Sequence, residues 1–474
     1  MFFIMPFSVS RASCAAVIAI TTLSSCTAGP DFALPEWKWP GRWKQGAADA
    51  PQEHPPGAWW TLFRDPALNR HVERALHGNQ DLAAALARVQ SARALSQIEK
   101  SAWHPQLGLL NTTTYEHLSA SSVGANLPAG AGLPPLERDR YRLFLDLNYE
   151  LDLWGRVRRS VEGARAREQA QADLVDAQSL ITAAEVARHY FLAASLDAQR
   201  KILNETVSLR QEALDLQQSR FQGGLANEMD VARARTELEL TRADAVAIER
   251  QRGSIEHALA VLCGEPPAGF TLPGSTRLPS PPRVPAGLPG TVMQRRPDIR
   301  AAEQDLRAAN AAIGAAKAEF FPAFRLTGTG GLESVGSEGF IQGRAKTASI
   351  GPQITLPVFQ GGRLFGGLRG AEARYHESLA AYKQTILTAL REVEDSMLDV
   401  RTLGRQRAAV AVAVAAAQET AKLSRLRYDR GLSNYFEVVD AERVVLTARL
   451  TLAQLDGQRL LAAVQMLRAL GGGW

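Results

Sequence analysis

Two short stretches gather an arginine, an aromatic ring and carboxylates around a glycine turn. They are Arg220-Phe221-Gln222-Gly223-Gly224-Leu225-Ala226-Asn227 and Arg427-Tyr428-Asp429-Arg430-Gly431-Leu432-Ser433-Asn434. Gly224 and Gly431 suit a left-handed helix stop, and Asn227 and Asn434 suit the N-caps of the helices that follow. Asp230 and Glu437 come three residues later, where a capping role explains both. Asp440 is different: it shares a helix face with Glu437 by three-residue spacing, two turns in, where capping no longer needs it. The plain alternative is a solvated helix acid. Other chemistry is not indicated. The eight histidines (54, 71, 77, 104, 117, 189, 257, 376) show no metal-ligand spacing, and there is no catalytic serine or cysteine motif. Neither an enzyme nor a cofactor is expected.

The elements that carry these turns are unusual. From Arg140 to Trp154, Tyr141, Leu143, Leu145, Leu147, Tyr149, Leu151 and Leu153 alternate with Arg140, Arg142, Asp146, Asn148, Glu150 and Asp152, and only Phe144 breaks the pattern. Such alternation describes a strand with one face in grease and one in water. At roughly 3.3 Å per residue it reaches about 50 Å, which suits a transmembrane barrel strand better than a soluble sandwich. The chain then enters a helical pattern, Arg156–Gln222, roughly 100 Å long at 1.5 Å per residue and suited to coiled-coil packing. The return helix, Asn227 to about Leu262, is shorter, so Leu68–Gln97 and Asp298–Lys317 are expected to complete its layer.

Proline divides the chain. None of the 24 prolines lies between Leu136 and Glu265, and none follows Pro357, so these gaps are where long helices are permitted. The gaps are two copies of one unit. Asp81 and Pro105 align with Asp298 and Pro322 at an offset of 217, and the two glycine turns align at 207. An internal duplication of this size governs the fold. The expected organisation is a signal peptide (1–25), a lipidated extended segment (26–66) and repeat 1 (67–265), with strands near 105–117 and 139–154 and long helices 155–222 and 227–262. A proline-rich linker (266–296) leads to repeat 2 (297–474), with strands near 322–333 and 347–359 and long helices 362–430 and 434–470. Pro352 inside a strand predicts a bulge or an edge position. Four strands cannot close a barrel, and open edges do not survive in lipid, so several chains must share one. Three would give twelve strands.

Residues 1–25 carry one charge, Arg11, before an apolar run from Ala12 to Ile20, the pattern of a secretory signal. Met5 is an alternative start to the greasy Met1-Phe2-Phe3-Ile4. Leu23-Ser24-Ser25-Cys26 resembles the lipobox of bacterial lipoproteins, in which the cysteine is lipidated. Thr27 follows rather than Asp, which by resemblance to lipoprotein sorting sends the anchor to the outer membrane. Cys14 leaves with the signal, so Cys263 stands alone and no disulfide is expected. Net charge is +5 with no basic block, which gives no sign of nucleic-acid binding.

From the lipobox to about Leu470 the sequence resembles the TolC-type outer-membrane efflux lipoproteins, the NodT/OprM-like outer-membrane factors of tripartite RND-type pumps. The resemblance rests on Gly29-Pro30-Asp31-Phe32, Trp60…Phe63-Arg64-Asp65-Pro66…Leu68 and Arg295-Arg296-Pro297-Asp298-Ile299. It continues through Phe320-Phe321-Pro322, Leu356-Pro357-Val358-Phe359-Gln360-Gly361-Gly362-Arg363 and Arg427-Tyr428…Gly431…Tyr435…Val439-Asp440-Ala441. It implies a mainly α protein with a membrane β-barrel: a homotrimer with a twelve-stranded barrel and a periplasmic α-helical barrel, working with a periplasmic adaptor and an inner-membrane transporter. It further implies a periplasmic gate, with Asp440 matching an acidic ring, Tyr428 a constricting tyrosine and Arg427 a gate arginine. Gln360 departs from the family, which often has an acid there. The expected function is a passive export duct for small molecules. A type I secretion duct for unfolded polypeptide and a lipid-anchored periplasmic coiled coil without a pore are the alternatives.

Overall fold

The computed structural model describes residues 27–44, 57–119, 137–276, 278–284, 287 and 289–472. The signal peptide and the lipobox cysteine, Cys26, lie outside the described residues. The helices are α1 (Pro66–Gly78), α2 (Gln80–Ser101), α3 (Arg156–Gln222), α4 (Glu228–Leu262), α5 (Pro289–Arg295), α6 (Pro297–Ala318), α7 (Arg363–Asp429) and α8 (Tyr435–Ala469). The strands are β1 (Gln106–His117), β2 (Glu137–Leu151), β3 (Ala323–Val335) and β4 (Lys346–Thr355). Contacts separate two units. One holds Met1–Pro35, Gln90–Ala170 and Glu303–Ala381 and contains the sheet; the other holds Glu36–Val89, Gln171–Ala302 and Tyr382–Trp474.

The sheet is antiparallel in the order β1-β2-β3-β4, so β1 and β4 are edges with no second neighbour among the described residues. Pro352 lies on β4 opposite Leu326, on an edge strand where its missing donor breaks no ladder. The strand expected to reach Trp154 stops at Leu151, because Asp152 turns its carboxylate on the start of α3. Its oxygens accept from the backbone N–H groups of Val157 (3.0 Å) and Arg158 (2.8 Å). The chain passes through Gly155 at φ +79°, and Trp154 donates to the Pro322 carbonyl and stacks on Phe321. A second difference is at Asn79. The continuous helix expected over 68–97 is broken there, because Asn79 accepts from the N–H of Leu82 (3.0 Å) and donates to the Leu262 carbonyl (3.0 Å). The proline-rich linker contains a single 3-10 turn at Pro267–Gly269 and the short helix α5.

Three of the sequence motifs are joints. In the sheet-bearing unit, Gly29 (φ +88°) crosses Gly314 so closely that an added Cβ would lie 2.5 Å from the Gly314 Cα. The Pro30 carbonyl accepts from Asn310 (3.0 Å), Asp31 pairs with buried Arg159 (2.6 Å), and Phe32 lies under the Arg307 guanidinium (4.9 Å). In the other unit, Asp65 caps α1 by accepting from the N–H groups of Ala67 (2.9 Å) and Leu68 (3.2 Å), and it also takes the Tyr190 hydroxyl proton (2.8 Å). Arg296 is buried and holds Asp298 (2.7 Å), Glu392 (2.8 Å) and the terminal α8 carbonyl of Ala469 (2.7 Å). The main core of this unit packs Trp59, Phe63, Leu68, Phe191, Leu259, Leu460 and Leu467.

Candidate functional site: a two-faced sheet and two capped turns

Register sorts the side chains of all four strands into two faces. Leu107, Leu109, Leu143, Leu145, Leu147, Leu326, Leu332, Ile350, Pro352 and Ile354 share one, since each pairs across the ladder with another of the set or with a glycine, asparagine or ring residue, and Leu332 also faces Lys346 at its end. Gln106, Thr112, Glu116, Arg140, Arg142, Asp146, Asn148, Thr327, Thr329, Glu333, Ser349 and Gln353 share the other. The apolar face also carries Tyr115 and Tyr141 towards one end and Tyr149 with Phe324 towards the other. Tyr141 and Tyr149 are eight residues apart, about 26 Å of strand. That matches the apolar band of about 25 Å with aromatic rims that membrane barrels present to lipid. The rims are visible only once the register is known.

The polar face is wired by charge. Glu116 takes Arg138 (3.0 Å) and Arg140 (3.2 Å), and Glu333 takes Arg140 (3.5 Å) and Arg142 (3.3 Å). Phe144, the one break in the alternation, belongs to this face. Its ring lies against Gly331, where an added Cβ would sit 2.8 Å from it. The phenylalanine covers a strand glycine that has no side chain to pack.

In the second unit, the two turns have one backbone geometry. The Leu225 N–H donates to the Arg220 carbonyl (2.7 Å) and the Gly224 N–H to Phe221 (2.9 Å). The Leu432 N–H donates to Arg427 (2.9 Å) and the Gly431 N–H to Tyr428 (2.9 Å). Gly224 and Gly431 sit at φ +71° and +70°, left-handed stops that cost other residues strain. Asn227 accepts from the N–H of Asp230 (2.9 Å), and Asn434 from that of Glu437 (3.2 Å).

Arg427 reaches Glu437 (3.8 Å). Tyr428 meets neither carboxylate; its hydroxyl pairs with Gln217 (2.9 Å), its ring lies against Tyr435 (5.6 Å), and Arg220 stands over it (5.1 Å). Asp440 is exposed, and its charge is felt by Arg443. Tyr435 is buried, and burial pushes its hydroxyl pKa up to about 12.

Above the turns lies a cluster that the sequence did not reveal. Arg210 and Glu237 are both buried and paired (3.1 Å), and Arg210 also donates to the Glu237 carbonyl (2.7 Å) and to the Thr241 hydroxyl. Arg443 of α8 closes on the same carboxylate. Arg449 pairs with Glu205 (2.8 Å), and Arg233 stands over Phe436 (5.0 Å). A periodic pattern shows that these helices pack, not which charged residues face one another across 206 positions.

The profile of the outer membrane efflux protein family matches residues 71–265 and 288–472, one segment for each copy of the repeat. The toluene efflux pump outer membrane protein TtgF of Pseudomonas putida is 35% identical over 466 residues, 95% of each chain. Outer membrane protein OprJ of Pseudomonas aeruginosa is 32% identical over 474 residues, 97% of this chain and 95% of that one. The structure of the outer-membrane channel OprN superimposes with a TM-score of 0.87 at 30% identity, covering 95% of this chain and all of that one. The two-faced sheet, the doubled helical hairpins and these relatives agree: the chain belongs to the outer membrane efflux protein family and is an outer-membrane exit duct of an efflux pump.

Proposed function

We propose that three copies of the chain close one twelve-stranded barrel, β1 of each pairing with β4 of the next, and that their long helices close a tunnel through the periplasm. The carrying observation is the sheet: one face suits lipid, the other suits water, and both edges are unpaired among the described residues. Unpaired edges are untenable in lipid, and closure with further copies removes them. Cys26, lipidated, anchors each copy to the same membrane. The partners are a periplasmic adaptor and an inner-membrane transporter, which supplies the energy for a passage that is itself passive. The cargo is small molecules such as drugs or solvents; relatives are named for toluene and antibiotic efflux, which favours this over an unfolded polypeptide.

The periplasmic gate is the second turn. Glu437 and Asp440 of three copies place six carboxylates around the narrow end, where like charges repel. Arg427 on Glu437 and Tyr428 on Gln217 hold that end shut against this repulsion. Gly224, Gly431, Asn227 and Asn434 shape the tips and take no part in the closure.

The barrel is tested by Leu147→Arg against Asn148→Arg. Leu147 lies on the apolar face opposite Leu107 and Gly328, and Asn148 on the polar face opposite Gln106 and Thr327. An arginine facing lipid near mid-membrane costs roughly 2–4 kcal/mol. Outer-membrane assembly of heat-resistant oligomer is expected to collapse for Leu147→Arg and to survive Asn148→Arg. Equal tolerance of the two removes the barrel.

A further inference from the structure

One cavity in the helical unit has no assigned part in the duct described above. It encloses about 860 Å³ and lies between the segment Thr61–His71, Tyr190 and the proline-rich stretch from Leu272 to Arg283. Its size is that of a small-molecule site. Three arginines line it, Arg64, Arg70 and Arg283, and among the described residues none of the three guanidiniums has a carboxylate or hydrogen-bond partner. Neighbouring arginines of the same unit are paired: Arg74 with Glu265, Arg252 with Asp197, Arg296 with Asp298 and Glu392.

The acids nearby are already committed. Asp65 is the one carboxylate among the described residues of the lining. One of its oxygens accepts two backbone N–H groups at the start of α1, and the other takes the Tyr190 hydroxyl proton. Burial and that bond hold Tyr190 protonated, so it remains a donor to Asp65. His71, 8% exposed, also lines the cavity, and its Nδ1 is buried without a partner. Burial, with Arg74 and Arg70 nearby, lowers its pKa and keeps the ring neutral. Among the described residues the lining therefore presents three exposed guanidiniums without a carboxylate partner and a buried ring nitrogen without one.

Arg64 adds a backbone observation. At φ +53° it is the one non-glycine residue with positive φ among the described residues. A left-handed arginine is strained, and strain of this kind persists where surrounding structure or function demands it. Its position ends the 3-10 turn of Trp59–Phe63, a task that glycine or asparagine performs with less strain.

We propose that this cavity is a binding site for a ligand bearing phosphate or carboxylate oxygens on a compact body, held by Arg64, Arg70 and Arg283. Guanidinium groups recognise such oxygens in pairs, with a planar fork that lysine lacks. Leu272, Pro273, Pro279 and Pro282 offer the apolar walls that a small uncharged body would meet.

The test uses the full-length protein in detergent, titrated calorimetrically with inorganic phosphate and, separately, with citrate, at constant ionic strength set with chloride. Saturable binding of one probe is expected, weakened more than tenfold in Arg70→Gln/Arg283→Gln and unchanged in Arg88→Gln, which alters an exposed arginine outside the lining. Preference for phosphate assigns a phosphoryl ligand, and preference for citrate a carboxylate one. Arg64→Gly is a second probe: it relieves the backbone strain, so it is expected to keep or raise thermal stability while losing binding. No saturable binding above chloride overturns the proposal, as does equal binding by the wild type and the double variant. It is also overturned if the double variant lowers oligomer stability without any ligand effect, since the arginines would then be paired with a neighbouring copy.

Discussion

The two hairpin turns are alike in backbone and unlike in what holds them. Both end in a left-handed glycine, both repeat the same pair of carbonyl closures, and both restart on an asparagine cap. Above the first turn, α3 and α4 are locked to each other by the buried Arg210–Glu237 pair. At the same positions in the second copy, 207 residues on, stand Ala417 and Val444, which can form no such pair. The second hairpin's own pairs, Arg407–Asp456 (2.8 Å) and Arg425–Glu442 (4.0 Å), are partly exposed, and it adds polar contacts to the first hairpin. Tyr428 takes Gln217 and Arg220, Phe436 takes Arg233, Arg443 takes Glu237, and Arg449 takes Glu205. Duplication preserved the turn chemistry and let the side chains diverge into a fixed hairpin and a hairpin fastened to it. A gate needs that difference, because an element held by separable contacts can take a second position while its neighbour stays put.

The largest effect is expected where the fixed hairpin is unlocked. Arg210→Met strips Glu237 of its buried partner, and breaking a buried pair costs about 3–5 kcal/mol. Guanidinium unfolding monitored by helical signal should shift accordingly. Arg449→Met, which removes a half-exposed pair joining the hairpins, should cost about 1 kcal/mol or less. Comparable losses would erase the distinction between lock and fastening.

The turns themselves should respond alike. Asn227→Ala and Asn434→Ala each remove a side-chain acceptor from a helix N-terminus, worth about 1 kcal/mol. Hydrogen exchange at Glu228–Asp230 and at Tyr435–Glu437 should accelerate to a similar extent. A clear inequality would mean that the shared backbone geometry conceals different local stabilities.

The smallest effect concerns Glu442, which faces Arg425 at 4.0 Å on the second hairpin and corresponds to Arg235 on the first. Burial raises its carboxyl pKa above the ordinary value, so the folded chain holds this proton more tightly than the unfolded one. Its contribution is therefore full below the ordinary carboxylate range and is lost as pH rises through the raised value. Glu442→Gln should raise the thermal midpoint slightly at pH 7 and leave it unchanged at pH 4. A gain at pH 4 would contradict that linkage.

What the sequence made legible follows from period and turn chemistry. Alternation from Arg140 onward exposed β2 because a strand has a period of two and few residues break it. The glycine and asparagine of each turn exposed both tips because few residues tolerate the left-handed stop and few side chains cap a helix as well as asparagine. Proline gaps exposed the long helices. The boundaries that were missed, Leu151 and Asn79, were set by single side chains, Asp152 and Asn79, that capped a helix where periodicity continued. The Arg210–Glu237–Arg443 cluster was invisible because helix periodicity does not say which of many charged residues meet across a packed interface. The sequence named Arg427 and Tyr428 as gate residues without fixing their partners; Arg427 lies near Glu437 and Tyr428 turns to Gln217.

The central claim is that this duct is shut by its second hairpin. Single-channel conductance of the purified protein in a planar lipid bilayer tests it most directly. Replacing Arg427 with Ala and Tyr428 with Phe removes an exposed ion pair, worth about 1 kcal/mol or less, and a neutral hydrogen bond to Gln217, worth about 0.5–1.5 kcal/mol, and should bias the tip towards open. Conductance should rise several-fold over wild type, while Phe221→Ala in the first turn leaves it unchanged. Wild-type conductance in the double variant, or an equal rise in both, would contradict the account.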